Sequence, residues 1–105
     1  PWLEIAPGTE LRAFIQERRL VGLSQRQVDR VHPELVARAP QLEEAVRKRC
    51  TELASRWPLD ELVADFVVAE DAAFLVDLQP FLPWTDPALF SWEQPFERYK
   101  FRYLH

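Results

Sequence analysis

The stretch Leu62-Val-Ala-Asp65-Phe-Val-Val-Ala69, then Glu70-Asp71-Ala72, then Ala73-Phe-Leu-Val-Asp77-Leu-Gln79 decides how this chain is read. Two runs of Val, Leu, Phe and Ala flank a short polar link, the pattern of a β-hairpin. Each run is apolar on both alternating faces apart from one aspartate, and strands of that kind are normally covered on both sides. A three-residue link that pairs Ala69 with Ala73 places Asp65 opposite Asp77, and Val63 opposite Gln79, on one face. Directly opposed side chains hold their Cβ atoms roughly 4.5–5.5 Å apart. Two carboxylates at that distance repel, and ionising both away from water is expensive. A shared proton, an arginine or a divalent cation must compensate. Oxygen donors alone suit Mg²⁺, which uses one or two carboxylates together with substrate phosphates. The other reading is that one aspartate ends its strand in solvent. A one-residue slip of register would separate the two onto opposite faces.

Upstream, Glu10 to Gln16 and Arg19 to Arg26 are two further strand-like runs around Glu17-Arg18, a second hairpin whose turn lacks the usual Asn-Gly or Asp-Gly. Pro7-Gly8-Thr9 marks a turn before it, and Gly22 points to a bulge or a close backbone approach. From Gln25 the period changes. Pro33 and Glu34 suit a helix start, Pro40 divides the helical region, and Pro58 ends it. Leu42, Ala45, Val46, Cys50, Leu53 and Trp57 recur at helical spacing, so this helix covers a sheet with one face. The expected fold class is α+β: a mostly antiparallel sheet from two β-hairpins covered by a helix, in one domain over 1–105. Residues 80–105, dense in proline and aromatics, are expected to form an ordered wrapping tail.

Composition narrows the function. The 105 residues are 48% hydrophobic and 29% charged, within the range of a globular domain. No apolar stretch approaches the ~20 residues that span a bilayer, and Pro1 to Glu10 lacks a signal peptide's apolar core, so no membrane partner and a cytoplasmic location are expected. Cys50 is the only cysteine, which excludes an internal disulfide, and its place on the helix's apolar stripe reads as a small core residue rather than a nucleophile. The net charge of −4 argues against nucleic acid as a partner. In the tail, Arg98, Lys100 and Arg102 alternate with Tyr99, Phe101 and Tyr103. A basic–aromatic ribbon can bind single strands, but period two is also the mark of a half-buried strand, and the acidic balance favours the strand. His32 reads as a polar surface residue, Asp86 as turn chemistry before Pro87, and Trp2, Trp57, Trp84 and Trp92 as core or lobe-interface packing. Arg26, beside Ser24 and Gln25, either faces phosphate or is a surface arginine at a strand end.

The run from Phe74 through Asp77, Gln79 and Phe81, continuing over Thr85-Asp86-Pro87-Ala88-Leu89-Phe90-Ser91-Trp92-Glu93, resembles the C-terminal signature of the cell division cycle protein 123 family. The segments Glu10-Leu-Arg12-Ala-Phe14-Ile and Leu20-Val-Gly22-Leu-Ser24-Gln25-Arg26 resemble its paired strands. Matched blocks in the same order span Thr9 to Trp92. The resemblance implies an ATP-grasp fold that binds ATP and Mg²⁺, and its eukaryotic members are implied to assemble the translation initiation factor two complex. Carried over by position, Arg12 would meet nucleotide phosphate, and Asp65, Asp77 and Gln79 would be the metal ligands. The family's asparagine is here Gln79, which keeps the amide oxygen on a longer arm, and a family glycine is replaced near Leu82. The resemblance covers the family's C-terminal part only, so the lysine-bearing lobe that closes an ATP-grasp site would precede Pro1 or come from a partner chain. Two functions follow as expectations. One is a nucleotide- and Mg²⁺-binding module of an ATP-dependent ligase or assembly factor; the other is a non-catalytic protein-interaction module that keeps half of the fold.

Overall fold

A computed structural model describes residues 9–105. Trp2 and the Pro7-Gly8 part of the expected first turn lie outside the described residues. Strands β1 (Glu10–Gln16) and β2 (Arg19–Gln25) form the first hairpin, α1 (Pro33–Leu53) follows, and β3 (Leu62–Ala69) and β4 (Ala72–Gln79) form the second. A short β5 (Phe101–Arg102) lies near the end of the chain. The strands form one sheet in the order β4-β3-β1-β2-β5, antiparallel except for the β2–β5 pair. The α+β class and both hairpins match the expectation. The fifth strand comes from the alternating tail: Tyr99, Phe101 and Tyr103 turn toward the core, as a half-buried strand requires.

The first turn has Glu17 and Arg18 at φ 51° and 63°, a left-handed pair that normally calls for asparagine or glycine. Tertiary contacts offset that strain. The Arg18 amide donates to the Asp60 carbonyl at 3.0 Å, and its guanidinium donates to the Asp60 carboxylate at 2.9 Å and the Trp57 carbonyl at 2.7 Å. Farther along, Phe14 faces Gly22 while Ile15 faces Leu20, so Val21 is an extra residue bulged out of β2. Gly22 also answers to close approach. A Cβ there would stand 2.6 Å from Phe96 Cε1, nearer than any side chain tolerates.

Helix α1 consists of two helical pieces joined at a kink, where Arg38 leaves helical geometry (φ −122°, ψ 17°) two residues before Pro40. Proline has no N–H and its ring crowds the carbonyl four residues back, so the division expected at Pro40 takes the form of a kink. Leu35, Leu42, Ala45, Val46 and Cys50 are buried against Leu11, Ala13, Ile15, Ala64 and Phe66 on one face of the sheet. The helix gives way to a 3₁₀ turn (Ala54–Arg56) ahead of Pro58. Trp57, past the helix, is still buried in this core.

The other face is covered by the tail. Phe14, fully buried at its centre, meets Phe81, Phe90, Trp92 and Phe96 with ring centroids 5.1–6.4 Å apart. Three readings of the sequence need correction. His32 is buried rather than on the surface: its Nε2 lies 2.8 Å from the Gln27 carbonyl and helps close the 26–31 loop. Trp84 is 77% exposed, which removes the core half of its reading and leaves the lobe-interface half. Strand β4 is not covered on both sides. It is the sheet edge, and Phe74, Val76 and Leu78 are exposed, because the tail crosses over β1 and β2 instead.

Candidate functional site

The second hairpin turns through two residues, Glu70 and Asp71, not three, and pairs Ala69 with Ala72. Continued evenly, that register would set Asp65 opposite Val76 and send Asp77 to the other face. A bulge intervenes: Phe66 faces Leu75, Asp65 faces Asp77, and Val76 is the extra residue. Val63 then faces Gln79. The pairing expected from alternation is present, reached by a shorter turn and a compensating bulge.

Registers on the other strands extend this pair into a row. Arg12 faces Asp65 across β1–β3 and Ser24 across β1–β2, and Ser24 faces Arg102 across β2–β5. Arg102, Ser24, Arg12, Asp65 and Asp77 therefore cross the whole sheet on its tail-covered face. Among the described residues this row carries the buried charge. Arg12 is 3% exposed and Asp65 7%. Arg12 grips Asp65 with both prongs, Nε to Oδ1 and Nη2 to Oδ2, each at 2.8 Å. Its Nη1 donates to the Asp86 carbonyl at 2.8 Å, which ties the tail to the sheet. The hydrogen bond to Asp65 raises the Arg12 pKa; burial opposes this, and the charges of Asp65, Asp86 and Asp77 add to it. The guanidinium thus stays charged in a site where an unpaired charge would be costly.

Arg26 stands half-buried just beyond β2, its Nε 3.8 Å from Asp65 Oδ2. Asp77 is exposed. Its Oδ1 accepts from the Leu78 amide at 2.9 Å and its Oδ2 from Gln79 Nε2 at 2.7 Å. Asp86 behaves as the turn residue it was read to be: its Oδ1 accepts from the Ala88 amide at 2.9 Å, and Ala88 takes a left-handed φ of 55°. Ser24 and Gln25 are buried and committed to structure. The Ser24 hydroxyl donates to the Gln25 carbonyl and accepts the Leu89 amide, while Gln25 binds the Gln27 and Arg30 carbonyls and the Leu104 amide.

The compensation asked for by two facing aspartates is supplied in the first place by arginine. Among the described residues no three His, Cys, Asp or Glu side chains converge as a metal cluster. The donor set Asp65, Asp77 and Gln79 is nevertheless made of oxygens suited to Mg²⁺, and it fits that ion with two adjustments. Asp65 would bind through lone pairs not used by Arg12, and the Gln79 amide would turn to present its oxygen. Sequence reasoning missed the Arg12–Asp65 pair because it did not join β1 to β3. The signal was there: Arg12 is the one cation inside Leu11–Ile15, and an arginine in an apolar strand needs a buried acid.

A kinked helix over one face of a five-stranded sheet, an aromatic tail over the other and an arginine–aspartate row between β2 and β4 define a particular kind of α+β unit. Its fold is similar to that of solved structures of Cdc123. The chain resembles C-terminally truncated Cdc123 from Schizosaccharomyces pombe with a TM-score of 0.79 and 32% identity, covering 88% of this chain and 36% of that one. It resembles Cdc123 from the same yeast with a TM-score of 0.81 and 27% identity, covering 95% and 42%. The chain belongs to the D123 family, whose sequence model matches residues 1–101. Among curated relatives, the translation initiation factor eIF2 assembly protein of Vanderwaltozyma polyspora is 32% identical over 98 residues, 89% of this chain and 26% of that protein. Its counterpart in S. pombe is 31% identical over 93 residues, 89% of this chain and 28% of that protein. The chain therefore spans about a quarter of the length of these relatives.

Proposed function

We propose that this chain is the Mg²⁺- and nucleotide-binding part of an ATP-grasp-type assembly factor, acting in the cytoplasm on a protein of the translation initiation machinery. The proposal rests on membership of the D123 family, on relatives named as eIF2 assembly proteins, and above all on the cross-strand row Arg12–Asp65–Asp77. In this reading Asp65, Asp77 and Gln79 hold Mg²⁺ beside the phosphates of ATP, and the ion when bound offsets phosphate charge. Asp77 is the entry point, since it is exposed and on the sheet edge. Arg12 orients Asp65 through its two-pronged grip, so that carboxylate cannot swing away from Asp77. Arg12 meets phosphate itself only by exchanging its contact to the Asp86 carbonyl. Arg26, whose side-chain donors make no short contact among the described residues, reaches phosphate without such an exchange. Ligation by phosphoryl transfer to a carboxylate would need the lysine-bearing lobe, from the rest of a longer protein or from a partner chain.

The second reading is a non-catalytic interaction module, and one observation favours it: Phe74, Val76, Leu78 and Trp84 present apolar surface at and beyond the β4 edge. Mn²⁺ separates the two. Used in place of Mg²⁺ with ATP, it should broaden NMR signals of Asp77, Leu78 and Gln79 before those of α1. Broadening spread over surface carboxylates without this focus would remove the metal site and leave the interaction module.

A further inference from the structure

The chain carries thirteen lysines and arginines against seventeen acids, and most of the cations are paired. Arg12, Arg18, Arg19, Arg26, Arg30, Arg38, Arg47 and Arg49 each have a carboxylate within 4.0 Å. Among the described residues five cations show no such partner: Lys48, Arg56, Arg98, Lys100 and Arg102. Three of these five lie within five consecutive positions. In an acidic protein that gathering is not what random placement of the leftover cations would give.

The strand geometry puts the three on one side. Tyr99, Phe101 and Tyr103 turn to the core, so Arg98, Lys100 and Arg102 share the opposite face of the ribbon. They line a cleft of about 310 Å³ together with Phe90, Phe96 and one carboxylate, Glu97. The cleft is built on fixed parts. The Phe96 ring is wedged over Gly22 and against Phe14 and Phe90, and the Lys100 carbonyl accepts the Leu23 amide at 3.0 Å. Arg102 is held in place, its guanidinium 4.5 Å above the Phe90 ring and its Nη1 donating to the Leu89 carbonyl at 3.2 Å. An arginine ordered in this way offers its remaining N–H groups to an anion at little entropic cost.

We propose that Arg98, Lys100 and Arg102 form a docking strip for an acidic segment of a protein partner, whose carboxylates pair with the cations while an apolar side chain enters the cleft lined by Phe90 and Phe96. Charge complementarity selects this occupant. Single-stranded nucleic acid fits less well, because its affinity rests on bases stacking over exposed rings. The ribbon's own rings face inward, and the Phe90 ring is already covered by Arg102. The strip lies at the β5 edge, four strand spacings or ~19 Å from Asp77 at the β4 edge, so a partner docked here leaves the aspartate pair open. The inference does not depend on the metal reading.

The test is fluorescence anisotropy with a labelled glutamate-rich peptide carrying phenylalanine, titrated with the whole chain. Wild type should bind it, with affinity falling as salt is raised from about 50 to about 200 mM. Arg98→Glu with Lys100→Glu should weaken binding about tenfold or more, since two exposed pairs become repulsive. Lys48→Glu with Arg56→Glu makes the same change in net charge outside the strip and should bind as wild type does. Circular dichroism verifies folding, and the milder Arg98→Gln with Lys100→Gln, expected to show a smaller loss, replaces the reversal if that variant unfolds. No binding to wild type at low salt, equal losses in both double variants, or tighter binding of an oligothymidylate than of the peptide would each overturn the proposal.

Discussion

Replacing Asp65 by leucine strips the only carboxylate that, among the described residues, stands within 4.0 Å of a guanidinium that is 3% exposed. Removing one member of a buried ion pair costs about 3–5 kcal/mol, because the remaining charge is left without water or partner. Here the loss should fall at the upper end, since Arg26, now also unpaired, adds like charge beside Arg12. The reciprocal change, Arg12→Met, should cost less: Asp65 keeps Arg26 at 3.8 Å as a substitute. The double variant Arg12→Met with Asp65→Leu replaces the pair by apolar side chains of similar size. It should lie within about 2 kcal/mol of wild type, the residual coming from the Asp86 carbonyl left without its donor. A protein of this length is stabilised by only about 5–15 kcal/mol, so the single change is severe but measurable. Urea unfolding followed by tryptophan fluorescence reads it. With a slope of ~1.5 kcal/mol/M, the midpoint of Asp65→Leu should fall by about 3 M. If the double variant loses as much as the two single variants added together, Arg12 and Asp65 are not coupled and the reasoning fails.

Three further outcomes follow from separate parts of the molecule. Gly22→Ala places a methyl 2.6 Å from Phe96 Cε1 and 3.1 Å from Phe90 Cζ, and should cost about 1–3 kcal/mol in thermal unfolding by displacing the tail from the sheet. Ala88→Gly relieves a left-handed φ of 55° and should gain up to about 1 kcal/mol in urea unfolding, net of the glycine's entropy. Burial pushes the Cys50 thiol up to about 12, and burial first and then the hydrogen bond to Glu43 raise the Tyr99 hydroxyl. Both groups are held neutral by folding. Their contribution is present below the unfolded pKa values and is lost as pH rises through about 9 to 12. Urea midpoints should decline over that window, and less steeply in Cys50→Ala.

Much of this architecture was legible because alternation and helical spacing are local. The four main strands, the helix and the break at Pro40 each announce themselves within about ten residues of sequence. What needed the third dimension was which strands are neighbours. Alternation alone could place Asp65 and Asp77 on one face, but the turn is a residue shorter than assumed and the Val76 bulge restores the register. No local signal sets those two features together. The Arg12–Asp65 grip and the exposure of β4 both follow from strand order, β3 sitting beside β1 and β4 outermost. His32 was misread for a related reason: its environment is made by the 26–31 loop folding over it, and a single polar residue before a proline carries no sign of that. The tail's alternation was readable as a half-buried strand, whereas the lack, among the described residues, of a carboxylate within 4.0 Å of its cations appears only when the other arginines are seen paired.

Calorimetric titration with ATP, with and without Mg²⁺, on wild type and Asp77→Ala, tests the central claim most directly. Asp77 is exposed and, among the described residues, its side chain bonds only to its own neighbours Leu78 and Gln79, so the substitution should leave the fold intact. The account predicts heat of binding for wild type that requires Mg²⁺ and disappears in Asp77→Ala. ATP binding that is indifferent to Mg²⁺ or to Asp77, or no binding by folded wild type, would contradict it.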